Sequence, residues 1–207
     1  IADCYYDHFK QDVSIRINMD GTIIAWFDSY DYHKLLDIKR IPRKIIKQVK
    51  KRLPGYIQDI ESNERYCYWR QFKSSAREGI IVRTSQDKID VDLGGQTGFM
   101  LKSHTIGSEK YIPGQPMQFY ILKVSRKSTI YLSRRTKSLP EALLLQGIPW
   151  GTFRCTLRIP GTRSHIVTDI YLQNKTILRD VARELGEIIT WALAGTVSRH
   201  TGMSQVV

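Results

Sequence analysis

The stretch from Asp87 to Lys102, DKIDVDLGGQTGFMLK, sets three glycines within five positions behind an alternating run of apolar and acidic residues. Alternation at period two places Ile89, Val91 and Leu93 on the inner face of a strand and Asp90 and Asp92 on the outer one. A phosphate-cradling glycine loop ends in Gly-Lys-Ser/Thr at a helix start, and a dinucleotide loop also opens a helix. Here the glycines feed a second strand. Gly94, Gly95 and Gly98 therefore read as a tight corner between strands, where glycine tolerates backbone that other residues resist.

The same period runs through the neighbouring segments. GIIVRTS, KIDVDLG, TGFMLK, MQFYILKVS and TIYLSRR form five short candidate strands with turn residues between them. That pattern predicts a Greek-key OB barrel. Upstream, VSIRINMDGTIIAWF reads as two alternating strands around Asp20-Gly21, the type I′ hairpin signal. IADCYYDHFK before it reads as the end of a helix. The chain opens at Ile1 rather than Met, so sequence ahead of it is expected.

Charge divides the chain unevenly. Residues 1 to 37 hold three Lys/Arg against seven Asp, while residues 38 to 207 hold 29 Lys/Arg against 13 Asp/Glu. A surplus of that size attracts polyanions, and nucleic acid is the commonest partner of a basic chain. The acidic opening points instead to protein contact. The densest basic piece is IKRIPRKIIKQVKKRLPG, with eight cations and no acid between Lys39 and Arg52. After Pro42, the helical spacing of Ile45, Ile46, Val49 and Leu53 predicts one buried stripe, and Pro54-Gly55 a stop. Arg43, Lys44, Lys47, Lys50 and Lys51 then form a cationic face. Tyr66, Trp69 and Phe72 follow near helical spacing, as packing residues.

Other classes find little support. No apolar run approaches the roughly 18 residues needed to span a bilayer, so a soluble chain is expected. Cys4, Cys67 and Cys155 are too few and too far apart for a disulfide framework or a paired zinc site, and a reducing compartment is expected. The histidines His8, His33, His104, His165 and His200 are scattered, and no triad or metal spacing joins them. No catalysis, cofactor, metal or small-molecule substrate is expected.

The stretch GIIVRTSQDKIDVDLGGQTGFM, continued by EKYIPGQPMQFYILKVSRKSTIYLSRR, resembles the S1-type RNA-binding barrel of the NusA family of bacterial transcription factors, with its DLGG corner, Y-x-PG entry and LSR exit strand. The preceding helix end, hairpin and KQV helix resemble that family's N-terminal domain and connector helix. LPEALLLQGIPWGTFRCTLRIPGTRSHIVTDI resembles the opening of its first KH domain. The resemblance implies an α+β multidomain chain. Residues 1–73 would form a helix-hairpin-helix unit, 74–136 a five-stranded OB-fold (S1-type) β-barrel, and 137–207 a degenerate type II KH-like unit. DIYLQNKTILRDVARELGEIITWAL departs from the family by running from strand to a single helix to a last strand with no GXXG, the loop that grips nucleotides in a KH domain. That helix is expected to start near Asn174 or Thr176, end at Gly186, and bury Ile177, Leu178, Val181 and Leu185. The family's second KH domain has no counterpart here.

By this resemblance the N-terminal unit docks on RNA polymerase while the barrel and KH-like unit face emerging RNA. Aromatic stacking on the second barrel strand is not expected, because Asp87 and Asp90 stand there. The candidate RNA contacts are cationic: Arg83, Lys102, Lys123, Arg126, Lys127, Arg134 and Arg135 on the barrel, and Arg158, Arg163, Lys175, Arg179 and Arg183 beyond it. The function implied is biasing pausing, termination or antitermination, in the bacterial cytoplasm or, alternatively, a plastid stroma or other organelle. Two alternatives stay open: an accessory RNA-polymerase subunit acting mainly as a protein scaffold, and a free-standing S1-type RNA-binding protein.

Overall fold

A computed structural model describes residues 2–9, 13–17, 23–27, 34–36, 43–172, 175–194 and 204–206. Asp20-Gly21, Lys39, Arg40, Pro42, Asn174, His33 and His200 lie outside the described residues. The chain divides into two compact units, Ile1–Glu61 and Ser62–Val207.

In the first unit, helix α1 (Ala2–Phe9) precedes a three-stranded antiparallel sheet in the order β1 (Val13–Ile17), β2 (Ile23–Phe27), β3 (Lys34–Leu36). Helix α2 (Arg43–Arg70) follows. Cys4 on α1 is buried, and α1 meets α2 through Asp7–Arg52 at 2.8 Å and Tyr56 Oη donating to Asp3 at 2.9 Å. Two expectations for α2 are corrected. Pro54-Gly55 does not stop the helix, which continues to Arg70. Proline costs about 3 kcal/mol inside a helix, and here helix-forming sequence with a buried anchor on each side, Ile45 and Trp69, carries the turn through. The apolar stripe is also only partly covered: Ile45 is buried, Val49 half-buried, and Ile46 and Leu53 exposed.

The second unit begins in the last turns of α2. Strands β4 (Ala76–Thr84), β5 (Lys88–Asp92), β6 (Thr97–Leu101), β7 (Pro116–Val124) and β8 (Ile130–Ser133) close into a barrel in the order β4-β5-β6-β8-β7. All ladders are antiparallel except β6–β8. Period-two alternation sends Ile81, Ile89, Val91, Met100, Phe119, Ile121, Ile130 and Leu132 inward, at 1% exposure or less. Each such side chain contributes about 1.5–3 kcal/mol of burial. Trp69 plugs the core, with Tyr66 and Phe72 packed beside it, which is the packing role read from their spacing.

A second layer leans on the barrel. Helix α3 (Leu139–Gly147) leads to the antiparallel pair β9 (Phe153–Ile159) and β10 (Arg163–Thr168). Helix α4 (Thr176–Leu185) crosses over to β11 (Ile188–Leu193), parallel to β10, and β12 (Ser204–Val206) adds a fourth strand at the edge. Gly186 ends α4 in the left-handed region, φ 62°. Leu178, Val181 and Leu185 are buried as read from the sequence, and Ile177 is half-buried. This layer's core takes in Ala76 of β4 and Tyr120 of β7, so it shares packing with the barrel wall.

Candidate nucleic-acid interface

The glycine corner shapes one end of the barrel. Asp92 Oδ1 accepts from the N–H of Gly94 at 3.1 Å and of Gly95 at 3.0 Å, and both glycines take positive φ, 88° and 89°. At Gly98 an added Cβ would lie 2.7 Å from Leu132 Cδ1, so this glycine lets β6 approach β8. The corner touches the β7–β8 turn, where Gln96 Nε2 donates to the Ser128 carbonyl at 3.3 Å.

Across the middle of the barrel the ladders align one row of outward residues. Arg83 pairs with Asp90, Asp90 with Phe99, Phe99 with Tyr131 and Tyr131 with Lys123. Two half-buried rings thus stand side by side on β6 and β8, flanked by cations on β4 and β7. Lys88 adds a third cation, its Nζ 4.2 Å from the Phe99 ring centroid. Asp90 faces outward as expected but is covered rather than open, at 7% exposure. Arg83 reaches its Oδ2 at 2.7 Å and Lys88 its Oδ1 at 3.2 Å. Burial opposes its ionised form, and the Arg83 and Lys88 bonds outweigh that, holding the carboxyl below its usual value. Arg83 remains largely exposed beyond this pair. Phe99 and Tyr131 escaped the sequence reading, although the alternation of TGFMLK already placed Phe99 opposite the inward Gly98 and Met100. The aromatic pair lies on β6 and β8, not on the second strand.

Two predicted contacts are removed from the interface. Arg134 is fully buried. It is bonded bidentately to Glu109, and donates to Glu184 Oε1 at 2.6 Å and to the carbonyls of Gln118 and Glu184. Arg158 is likewise sunk against Glu187, 2.8 Å away, and donates to the Thr136 carbonyl. A guanidinium whose donors are consumed inside the protein has none left for a phosphate. Tyr111 Oη donates to Glu109 and receives the N–H of Ile106, and burial with the Glu109 bond pushes its phenol well up.

The remaining cations are exposed. Arg126 and Lys127 occupy the turn before β8, while Lys102 and Arg135 follow β6 and β8 at the opposite end. The Phe99–Tyr131 row lies between these groups. On the second layer Arg163 opens β10, and Lys175, Arg179 and Arg183 line α4. Arg179 and Arg183 border an open cleft of about 380 Å³ with Gly186 and Ile188, and Arg183 also pairs with Asp180 at 3.3 Å. In the first unit Arg43, Lys44, Lys47, Lys50 and Lys51 are all exposed on α2. Among the described residues no group of three His, Cys, Asp or Glu could hold a metal ion, and no helix is long and apolar enough to cross a membrane.

Residues 70–135 match the S1 RNA binding domain family, so the barrel is an S1 RNA-binding domain. The chain is 23% identical to the transcription termination/antitermination protein NusA of Thermus thermophilus over an alignment covering 74% of this chain. It spans 46% of that relative's length, about half. Among solved structures, a complex of a/eIF2alpha, aDim2p and rRNA from Pyrococcus horikoshii is similar at 20% identity and a TM-score of 0.28, covering 30% of this chain and 44% of that one. A multidomain protein with nucleic acid binding domains from Streptococcus pneumoniae is similar at 11% identity and a TM-score of 0.30, covering 67% and 42%. What these comparisons establish is an S1 RNA-binding barrel within a chain distantly similar to NusA.

Proposed function

We propose that the protein is a NusA-like transcription factor that docks on RNA polymerase and holds nascent RNA against the barrel, biasing pausing, termination or antitermination without chemistry of its own. The observation that carries RNA contact is the row of Phe99 and Tyr131 between Arg83, Lys88 and Lys123. Rings accept bases and cations accept phosphates, which is how sequence-tolerant single-strand binding is built. The placement in transcription is supported by the similarity to NusA, which runs well beyond the barrel.

In this reading the acidic opening, residues 1–37, makes the polymerase contact. The layer of α3, β9, β10, α4 and β11 is a KH fold reduced by one helix and its GXXG loop. A weak RNA contact becomes effective by tethering, because the local RNA concentration at a docked module reaches about the millimolar range. The site of action is the bacterial cytoplasm or an organelle with a bacterial-type polymerase. The scaffold alternative draws support from Arg134 and Arg158, two cations spent on internal structure.

Adding the purified chain to bacterial core RNA polymerase tests the proposal. Co-elution of the two, with changed pause lifetimes in single-round transcription, is expected. Co-elution without any RNA crosslink to the barrel supports the scaffold. Failure to bind polymerase while RNA binding persists leaves the free-standing RNA-binding protein.

A further inference from the structure

The two most exposed large apolar side chains of the described residues are Trp150, at 77%, and Tyr171, at 71%. They lie on neighbouring loops at one end of the second layer's sheet. The Phe153–Thr168 pairing ends the β9–β10 ladder there, and beyond it Asp169 clips the loops together by accepting the N–H and the hydroxyl of Thr152. Each ring stands two residues outside this clip. Gly151 lets the loops close, since a Cβ there would lie 2.8 Å from both Ile170 and Phe153. Tyr171 is held further by an edge-on contact with Trp191, centroids 5.9 Å apart. The rings are thus exposed on a backbone that is fixed.

The surroundings say what such rings would meet. Four residues after each ring comes an exposed cation, Arg154 after Trp150 and Lys175 after Tyr171. The only acidic residue within 148–152 and 169–172, Asp169, is occupied by Thr152, whose hydroxyl and N–H hold its carboxyl below the usual range. Two exposed rings on clipped loops, each followed four residues on by an exposed cation, suit a single strand whose bases stack while its phosphates pair. A proline-rich peptide would also fit bare rings, but it would leave both cations without a counter-charge.

We propose that Trp150 and Tyr171 form a second base-stacking site for single-stranded RNA, with Arg154 and Lys175 as its phosphate contacts. It is separate from the barrel row and supplies a nucleotide grip where this layer has no GXXG loop.

The test is fluorescence anisotropy of labelled oligouridine, and of an abasic strand of equal length, with the full chain. W150A/Y171A is expected to weaken oligouridine binding about tenfold or more. Both rings are largely exposed and Tyr171 gives up only its edge contact with Trp191, so the thermal melt of the double variant is expected to show a folded protein with at most a small downward shift. W150F and Y171F retain most of the affinity, and the abasic strand does not sense the double substitution. Equal oligouridine affinity for wild type and W150A/Y171A overturns the site, as does an equal loss with the abasic strand, or lost binding of a proline-rich peptide with RNA affinity intact. F99A/Y131A measured in parallel reports on the barrel row alone, so the two sites succeed or fail separately.

Discussion

Arg134, at the exit of β8, donates through Nη1 to the half-buried Glu184 carboxylate on α4 at 2.6 Å, so an ion pair built on a fully buried guanidinium ties the barrel to the layer that follows it. Glu109 completes the set from the loop before β7. Arg134→Ala leaves two carboxylates without their partner, and breaking a buried pair in this way costs about 3–5 kcal/mol. Denaturant titration of the full chain is expected to show that loss. The RNA affinity of the molecules that remain folded is expected to hold, because this arginine makes no outward contact.

Gly94 and Gly95 both stand in the left-handed region. Gly94→Ala and Gly95→Ala should each cost about 1–2 kcal/mol, with asparagine milder at either position. Gly98→Ala acts by a different route, forcing a methyl against Leu132, and overpacking of that kind costs about 1–3 kcal/mol. Thermal melts of the three variants check the order.

Asp90 makes stability depend on acid. Its folded pKa lies below the unfolded value of about 3.9, so its contribution is full above that value and fades as pH falls through the folded one. Denaturant midpoints taken from about pH 5 down to pH 2 should fall more steeply for wild type than for Asp90→Asn. Asp169, lowered by Thr152, titrates in the same window and stays intact in both proteins, so it leaves the comparison unaffected.

The same substitution acts on RNA. Asp90 occupies Arg83 and Lys88. Removing its charge frees both cations, and the affinity of Asp90→Asn for single-stranded RNA should rise and depend more steeply on salt, since each added phosphate contact steepens the slope by about 0.7. An anisotropy titration at two salt concentrations reads both effects.

Local pattern carried the barrel and failed where distant partners decide. The five alternating segments coincide with β4 to β8, and the glycine corner lies between β5 and β6, because strand alternation and turn chemistry are written within a few residues. The α4 stop at Gly186 was equally local. Arg134 and Arg158 read as surface cations because their carboxylate partners stand 25 and 50 residues away for one and 29 for the other. Pro54 read as a stop because the anchor at Trp69 lies well beyond the breaker. Phe99 and Tyr131 were missed because the β6–β8 contact that joins them is a parallel pairing across a long connection, which alternation within either strand does not announce.

RNA affinity of F99A/Y131A against wild type, read by anisotropy on one single-stranded oligonucleotide at fixed salt, puts the barrel face to its most direct trial. Two lost stacking partners should weaken binding about tenfold or more, with the fold unchanged. Unaltered affinity in the double variant would contradict the assignment of this face to RNA.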